Sequence, residues 1–422
     1  MERFELPLGW KYKSLFDLVN VIGGVSYSPS DMATKGIRII RGGNIQDNIV
    51  ILKDDDVYLP IEYKCEENSL RKGDIVLVAS TGSVEALGRT ATIWQDMDNV
   101  QIGAFLRILR PKEEKYAEFL SATLSSSYYL NYIKTVAKGT SINNISLSHI
   151  QGFYIPVPSD EEIQNFSHLY STIAKKINLN RSINRDLEAL AKQIYDYWFV
   201  QFDFPDENGR PYKSSGGMMV WNDDLKREIP EGWNNGIFAD IANITMGQSP
   251  DGSSYNEEGI GSIFYQGSTD FGVRFPSVRM FTTSPSRFAK QGDILMSVRA
   301  PVGAVNIANS DCCIGRGLSA INSKIGSITY IYYVVHYLKV RFDSLNTAGT
   351  TFGSITKDEL FKLPVVVPSD NVIERFESIC KPIFGKQMEI GFEMEQLTKQ
   401  RNELLPLLMN GQVTVNPDLS ND

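Results

Sequence analysis

The sequence is poor in the residues that bind metal ions and form disulfides. Its 422 residues include only four cysteines and three histidines. Cys312 and Cys313 are adjacent, and no two cysteines have the CxxC spacing of zinc and redox motifs. His149, His168 and His336 form no HExxH pattern. We therefore expect no disulfide framework, no metal site and no resident cofactor, and this cysteine usage fits a reducing cytoplasm.

Long apolar stretches are also missing. No run of about eighteen apolar residues occurs, so the sequence predicts no transmembrane helix. The segment from Met1 to Glu5 is acidic and lacks the apolar core of a signal peptide. We expect a cytoplasmic protein with no membrane partner.

The chain has no excess of positive charge, since its formal net charge is −8. Residues 1–159 carry 17 basic and 18 acidic side chains, and residues 229–369 carry 11 of each. The negative excess therefore lies largely outside these two segments. Net charge neither supports nor excludes DNA binding by them.

The motifs of several enzymes are absent. The sequence contains neither an Asn/Asp-Pro-Pro-aromatic loop nor a glycine-rich cofactor loop of a methyltransferase. Gly385-Lys386 is followed by Gln387, so it is not a P-loop. A loose nuclease pattern of Asp206, Asp224 and Lys226 stays open as an alternative, because two carboxylates and a lysine can hold Mg²⁺ and activate water.

The chain contains a long internal repeat. Residues 7–10 return as 230–233, 72–77 as 291–296, 102–103 as 314–315, 139–141 as 349–351, and 157–160 as 367–370. The order of these matches is preserved, and their offset falls from 223 to 210 residues. Two copies of one domain with loops of different length produce this pattern. A shared framework with divergent loops suits the recognition of two different targets.

Each copy has short apolar runs after a Gly-Asp turn, and these runs predict strands. Each copy is followed by a heptad series of apolar residues, which predicts a long helix that packs against a partner helix. The first series includes Phe166, Tyr170 and Ile177, and the second includes Phe376, Ile379 and Ile390. We predict an α+β protein in which two similar mixed α/β domains are separated by two long antiparallel coiled-coil helices, with a pseudo-twofold repeat. The predicted segments are domain 1 (1–159), the first helix (160–204), a connector (205–228), domain 2 (229–369), the second helix (370–412) and a tail (413–422).

This layout resembles the specificity subunit of type I restriction-modification enzymes. Five motifs carry the resemblance. They are Pro-x-Gly-Trp at 7–10 and 230–233, Gly-Asp-Ile at 73–75 and 292–294, the Gly-Thr loops that lead to Ile-Pro-Val-Pro at 155–158 and Val-Val-Val-Pro at 365–368, the aromatic segment 197–204, and the leucine-rich segment 401–411. The resemblance covers about residues 6–415. One departure is that Val372-Ile373-Glu374 replaces the Glu-Gln pair usual at the start of the second helix, which leaves that start open.

The resemblance implies a non-catalytic subunit that recognises a bipartite, asymmetric site in double-stranded DNA. It further implies two methylation subunits, which use S-adenosylmethionine at adenine, and two motor-nuclease subunits, which use ATP and Mg²⁺. The assembled complex would be a site-specific adenine methyltransferase and a type I deoxyribonuclease. A protein-binding scaffold without DNA is the remaining alternative.

Polar and basic residues near glycine-rich loops are the candidates for DNA contact, because they reach phosphates and base edges. In domain 1 these are Lys35, Arg38, Arg41, Asn44, Ser80, Thr81, Arg89, Lys138, Thr140 and Ser141. In domain 2 these are Gln266, Arg274, Arg279, Arg299, Arg316, Thr350 and Thr351. The Gly-Thr loops recur in both copies and are assigned to the DNA backbone, whereas residues that differ between the copies are assigned to the bases. The candidates for partner binding are Trp198, Phe199, Leu404, Leu405 and Leu408.

Overall fold

The computed structural model describes residues 6–83, 86–136, 143–299, 302–347, 353–409 and 411. The chain forms two compact units, unit 1 (residues 1–179 and 395–422) and unit 2 (residues 180–394). Each unit contains one copy of the repeat and part of each of two long helices. We call Asp160–Tyr195 the first long helix and Asp370–Met409 the second long helix.

The centre of unit 1 is a four-stranded antiparallel sheet. Its strands lie in the order Val19–Gly23, Leu106–Pro111, Ile75–Val78 and Thr90–Thr92. All four residues of Ile75–Val78 are buried, as their unbroken apolar run predicts. In a second sheet, Ile37–Ile40 pairs in parallel with Val100–Ile102 and antiparallel with Val57–Leu59.

The centre of unit 2 has the same topology. Its antiparallel sheet has the order Ala242–Met246, Leu318–Ser323, Ile294–Ser297 and Val305–Ile307. In its second sheet, Ser262–Tyr265 pairs in parallel with Cys312–Ile314. The equal strand order and the parallel pair in each unit confirm the predicted duplication of a mixed α/β fold.

The remaining elements complete each unit. In both units a strand near the start of the domain pairs with the strand before a long helix, Lys11–Ser14 with Tyr154–Val157 and Asn234–Ile237 with Pro364–Val367. The other described strands are Ile45–Gln46, Ile49–Val50, Ser80–Thr81, Asn143–Asn144, Met219–Asn222, Arg227–Pro230, Tyr255–Asn256, Phe281–Thr282 and Phe288–Ala289. The other described α-helices are Leu15–Leu18, Ala117–Ser125, Ser127–Val136, Leu147–Gly152, Phe238–Ile241, Ile328–Thr347 and Lys357–Phe361.

The long helices begin where the sequence predicts and end earlier. Ser159 and Glu162 form reciprocal hydrogen bonds at the start of the first long helix, with Ser159 Oγ donating to Glu162 Oε2 at 2.7 Å. This helix was predicted to reach residue 204, but it ends at Tyr195 and continues as a π turn, Asp196–Val200. The second long helix begins at Asp370 and ends at Met409 rather than at 412.

The predicted connector, residues 205–228, is more structured than its polar composition indicates. Met219–Asn222 and Arg227–Pro230 form an antiparallel hairpin. Phe204 stacks on Tyr212 at a centroid distance of 4.7 Å and on Trp233 at 5.0 Å. These aromatic contacts fix the start of the segment, and most of its residues are exposed, as expected of a connector.

The long helices pack differently in the two units. In unit 1, Ile163, Phe166 and Tyr170 share an apolar core with Leu405 and Leu408. In unit 2, the two helices run antiparallel, because Asn180 donates to Glu393 at 2.7 Å and Gln387 donates to Glu188 at 2.9 Å.

The predicted heptad series needs one correction in unit 2. Ile379 was placed in the seam, but it is 44% exposed and Cys380 is fully buried in its place. Asn184 and Gln387 are also buried in the seam. Coiled-coil geometry itself stays a prediction.

These two seam residues belong to a group of polar side chains in unit 2, which we call the buried polar cluster. Its members are Asn184, Glu188, Arg274, His336 and Gln387. The Arg274 guanidinium lies 3.4 Å from Glu188 and 4.6 Å from the centre of the Phe384 ring. Burial lowers the pKa of His336 from its ordinary value. Neither amide atom of Asn184 has a hydrogen-bond partner within the described part of the chain.

The helices differ from membrane-spanning helices in composition. Over the described residues, none combines the length and the apolar content needed to cross a bilayer.

Candidate nucleic-acid interface

Three loops meet at one end of the parallel strand pair in unit 2. Backbone hydrogen bonds join them: Gln248 N donates to Ile314 O at 3.0 Å, and Gly315 N donates to Tyr265 O at 2.8 Å. A Cβ atom on Gly247 would lie 2.2 Å from Gly315 O, so only glycine permits this approach. We call residues 247–249, 266–267 and 315–317 loop cluster 2.

The same three loops meet in unit 1. Val25 N donates to Ile102 O at 2.9 Å, and Gly103 N donates to Ile40 O at 2.8 Å. A Cβ atom on Gly24 would lie 2.2 Å from Gly103 O, which repeats the glycine contact of unit 2. We call residues 24–26, 41–43 and 103–105 loop cluster 1. The two clusters therefore have one backbone framework.

The side chains on this framework differ. Loop cluster 2 exposes Gln248, Gln266 and Arg316. Loop cluster 1 exposes Arg41 and Phe105, and Phe105 is 69% exposed. The structure thus brings the predicted residues Gln266 and Arg316 together, and it places Arg41 at the equivalent position of Gln266.

Other predicted residues lie beside the clusters. Ser80 N donates to Phe105 O at 3.0 Å, and Thr81 is in the strand that pairs with Asn143–Asn144. Arg299 is exposed and adjoins Val298, whose N donates to Gly317 O at 2.9 Å. Lys35 and Arg89 are exposed outside the three loops.

Arg38 and Asn44 have internal roles in unit 1, contrary to their selection as base-reading residues. Arg38 Nε donates to Tyr58 Oη at 2.8 Å. The Asn44 side chain is buried, donates to Asp56 and Ile51 O at 2.6 and 2.9 Å, and accepts from Arg41 N. The amide is fully occupied in holding its loop, so it is not exposed to a ligand.

Two arginines of unit 2 also have internal partners. Arg274 belongs to the buried polar cluster and is 7% exposed, which removes it from the surface. Arg279 is exposed but donates to Asp270 at 2.8 Å, and Asp270 Oδ2 in turn accepts from Gln266 N at 3.1 Å. Arg279 therefore supports the position of Gln266.

Five predicted residues cannot be placed. Lys138, Thr140, Ser141, Thr350 and Thr351 lie outside the described residues. Their assignment to the DNA backbone stays a prediction.

Four of the five predicted partner-binding residues are buried within their own units, and Leu404 is half-buried. The ring centroid of Phe199 lies 4.7 Å from that of Tyr330 and 4.9 Å from that of Phe376. The ring centroid of Trp198 lies 5.8 Å from that of Phe376. Leu405 and Leu408 are in the apolar core of unit 1, and Leu404 packs against it. These side chains therefore stabilise each unit and do not form exposed docking surfaces. The prediction failed because apolar periodicity does not distinguish contact with a partner from contact with the chain's own core.

The nuclease pattern forms no metal site in the described residues. Hydrogen bonds from the Arg210 backbone and its side chain hold the pKa of Asp206 below its usual range. Asp224 accepts from Asn235 at 2.6 Å. Across the part of the chain that the structure describes, no three acidic, histidine or cysteine residues are grouped to bind a metal ion.

Sequence reasoning missed Phe105 and Gln248. The signal was available for Phe105, because the offset of 212 that matches residues 102–103 to 314–315 also sets Ala104-Phe105 against Arg316-Gly317. A bulky aromatic residue opposite a glycine marks the position as one where the copies diverge.

Comparison with known proteins agrees with this geometry. The family model of the type I restriction modification DNA specificity domain matches residues 7–189 and again residues 230–405. A putative type I restriction enzyme MjaX specificity subunit of Methanocaldococcus jannaschii is 30% identical over 97% of this chain and 95% of its own length. The HindI specificity subunit of Haemophilus influenzae is 22% identical over 88% of this chain and 95% of its own length.

One solved structure shows the same fold. The S subunit of the type I restriction-modification system from M. genitalium has 16% identity and a TM-score of 0.55, covering 96% of this chain and 98% of that one. The chain therefore belongs to the family of type I restriction-modification DNA specificity subunits, with two copies of the specificity domain. This family is non-catalytic on its own, which argues against the nuclease alternative. Its domain is a DNA specificity domain, which favours DNA recognition over a scaffold without DNA.

Proposed function

We propose that this chain recognises a bipartite, asymmetric site in double-stranded DNA, with one half recognised by each unit. The observation that carries the proposal is the pair of loop clusters, which share their backbone hydrogen bonds and present different side chains. A common backbone with different side chains gives two similar surfaces that select different bases.

The proposed partners supply the chemistry. Two methylation subunits bind S-adenosylmethionine and modify adenine, and two motor-nuclease subunits use ATP and Mg²⁺ to move along and cut DNA. Membership of the specificity-subunit family and the absence of methyltransferase and P-loop motifs from the sequence support this division of labour. The isolated chain then neither methylates nor cuts DNA.

A domain exchange tests the proposal. Residues 6–158 are replaced by the same domain of a relative, and the chimera is expressed with its methylation subunits. We expect one half of the methylated site to change and the other half to stay the same, because each unit has its own loop cluster. Genome-wide mapping of methylated adenines measures both halves at once. A change in both halves, or in neither, contradicts the two-unit model.

The long helices are proposed to set the gap between the two half-sites. Asn180 and Glu393 face each other in unit 2, so a heptad inserted after each keeps the seam in phase. Seven residues add roughly 10 Å at 1.5 Å per residue. Since DNA rises about 3.4 Å per base pair, the gap should grow by about three base pairs, with both half-sites unchanged.

The same methylation map measures that gap. Three base pairs also rotate one half-site by about 100°, so some loss of affinity is expected and a change of two or four base pairs agrees with the proposal. An unchanged gap contradicts the role of the helices as spacers.

A further inference from the structure

The turn that follows the parallel strand pair has the same backbone in the two copies but different side chains. In unit 1, Leu106 N donates to Gly103 O at 2.9 Å, and in unit 2 Leu318 N donates to Gly315 O at 3.0 Å. The two residues inside each turn are Ala104-Phe105 and Arg316-Gly317. The same backbone turn thus presents an aromatic ring in one unit and a guanidinium group in the other.

The backbone of Phe105 is fixed by hydrogen bonds, and its side chain is exposed. Its carbonyl accepts hydrogen bonds from Ala79 N and Ser80 N, both at 3.0 Å. The next residue, Leu106, is fully buried, whereas Phe105 is 69% exposed. Because the backbone is fixed, a ligand that covers the ring orders only the two side-chain torsions.

Arg316 is similarly fixed. Its backbone N donates to Ser249 Oγ at 3.2 Å, and the side chain is exposed. Gln266 and Gln248 are exposed on the two adjacent loops. Within the described ranges, Arg279 pairs with Asp270 but Arg316 has no acidic partner. The guanidinium fork of Arg316 is therefore available to a ligand.

A common role in holding phosphate does not explain this turn. Phosphate contacts position the protein whatever the sequence, so two copies of one domain would be expected to keep the same chemistry for them. Here the charge, the size and the polarity all change between the copies. Such a change is expected of residues that contact base edges in the major groove, where each base pair presents its own pattern.

We propose that Arg316 contacts a guanine in the half-site of unit 2 and that Phe105 contacts the methyl group of a thymine in the half-site of unit 1. Arginine donates two hydrogen bonds to guanine O6 and N7, and phenylalanine packs on the thymine methyl. This inference deepens the proposed function and rests on it.

The test uses the assembled complex of the full chain and its methylation subunits, on duplexes that contain the mapped site. Each guanine of the unit 2 half-site is replaced in turn by 7-deazaguanine, which lacks the N7 acceptor. Each thymine of the unit 1 half-site is replaced by deoxyuridine, which lacks the methyl group. We expect one guanine position to weaken binding about 2- to 13-fold, because the analogue keeps O6 and removes only one of the two hydrogen bonds of a bidentate contact. One thymine position should weaken it about fourfold, the effect of one buried methyl group.

Variants link each effect to its residue. Arg316→Ala should remove the response to 7-deazaguanine and leave the unit 1 half-site unaffected. Phe105→Ala should remove the response to deoxyuridine and leave the unit 2 half-site unaffected. Arg185→Ala is the matched control, because Arg185 is an exposed arginine on the first long helix, outside both loop clusters. It should preserve both responses.

Two results overturn the inference. The first is site-specific methylation by the complex without any response to either analogue, or with responses that persist in the variants. The second is that Arg316→Ala weakens binding equally for all sequences and reduces the salt dependence by about one ion, which identifies a phosphate contact. A wild-type complex that methylates no defined site instead refutes the proposed function itself.

Discussion

The two units contain the same fold but attach it to the long helices with different chemistry. In unit 1 the helical contribution to the core is apolar and aromatic, with Phe166 and Tyr170 beside Leu405 and Leu408. In unit 2 an aromatic core around Phe376 adjoins the buried polar cluster. The two copies thus have the same sheets but different contacts between the sheets and the long helices.

The apolar contacts of unit 1 and the polar contacts of unit 2 have different consequences for the stability of the protein and for the alignment of the two helices. Apolar contacts depend mainly on the area buried and tolerate small shifts along a helix. A buried ion pair and its hydrogen bonds demand one alignment, and breaking one partner leaves an uncompensated charge. We therefore expect the polar cluster to fix the alignment of the helices in unit 2 at some cost in stability.

The largest expected effect is the loss of the aromatic core of unit 2. Phe376 is fully buried, and its ring centroid lies 4.9 Å from that of Phe199. Phe376→Ala should therefore lower the free energy of unfolding by about 3–5 kcal/mol. Hydrogen exchange should show the loss of protection mainly in Ile294–Ser297, the central strand of unit 2.

Phe166→Ala is the matched change in unit 1. Phe166 is 5% exposed and contacts Phe119 at a centroid distance of 5.7 Å. Its loss should reduce protection mainly in Ile75–Val78. Equal losses in both central strands for either variant would show that the two units unfold as one, and would remove the basis for comparing them separately.

A smaller effect is expected when the ion pair between Arg274 and the half-buried Glu188 in unit 2 is broken. Glu188 accepts from Arg274 and from Gln387, and its side chain is 31% exposed. Glu188→Ala should destabilise the protein by about 2–3 kcal/mol, below the value for a fully buried pair because solvent reaches the carboxylate. Urea unfolding measures the change.

Asp186→Ala provides the control for this helix. Asp186 is exposed and pairs only with its neighbour Arg185 among the bonds seen here, so its loss should change stability by at most about 0.5 kcal/mol. If the two substitutions have equal effects, the polar cluster does not contribute as argued.

The smallest effect should have the opposite sign. Asn184 is buried and its amide atoms have no hydrogen-bond partner in the described part of the chain, so Asn184→Leu makes the seam of unit 2 resemble that of unit 1. We expect a gain of about 1 kcal/mol, because no remaining group loses a bond. Asn180→Leu, which removes the hydrogen bond to Glu393, should give no gain. Destabilisation by Asn184→Leu, measured by thermal unfolding, would contradict this account.

The partly wrong predictions share a physical cause. Trp198 and Leu408 were expected on a docking surface because they are apolar and periodic, and they are buried in their own units. Asn44 and Arg274 were expected at the DNA because they are polar, and hydrogen bonds or ion pairs occupy them internally. Composition identifies which groups need a partner, but it does not identify the partner.

The sequence alone determined the duplication, the strands after each Gly-Asp turn and the start of the first long helix. These features follow from local chemistry and from periodicity, which neighbouring residues specify. The tertiary structure alone decided which loops meet. Residues 24–26, 41–43 and 103–105 are far apart in the chain, and only the parallel pairing of Ile37–Ile40 with Val100–Ile102 brings them together. The same pairing places Phe105, which was not among the predicted DNA contacts, in an exposed position beside Arg41. Exposure depends on the packing of all neighbouring segments, so no single segment of the sequence predicts it.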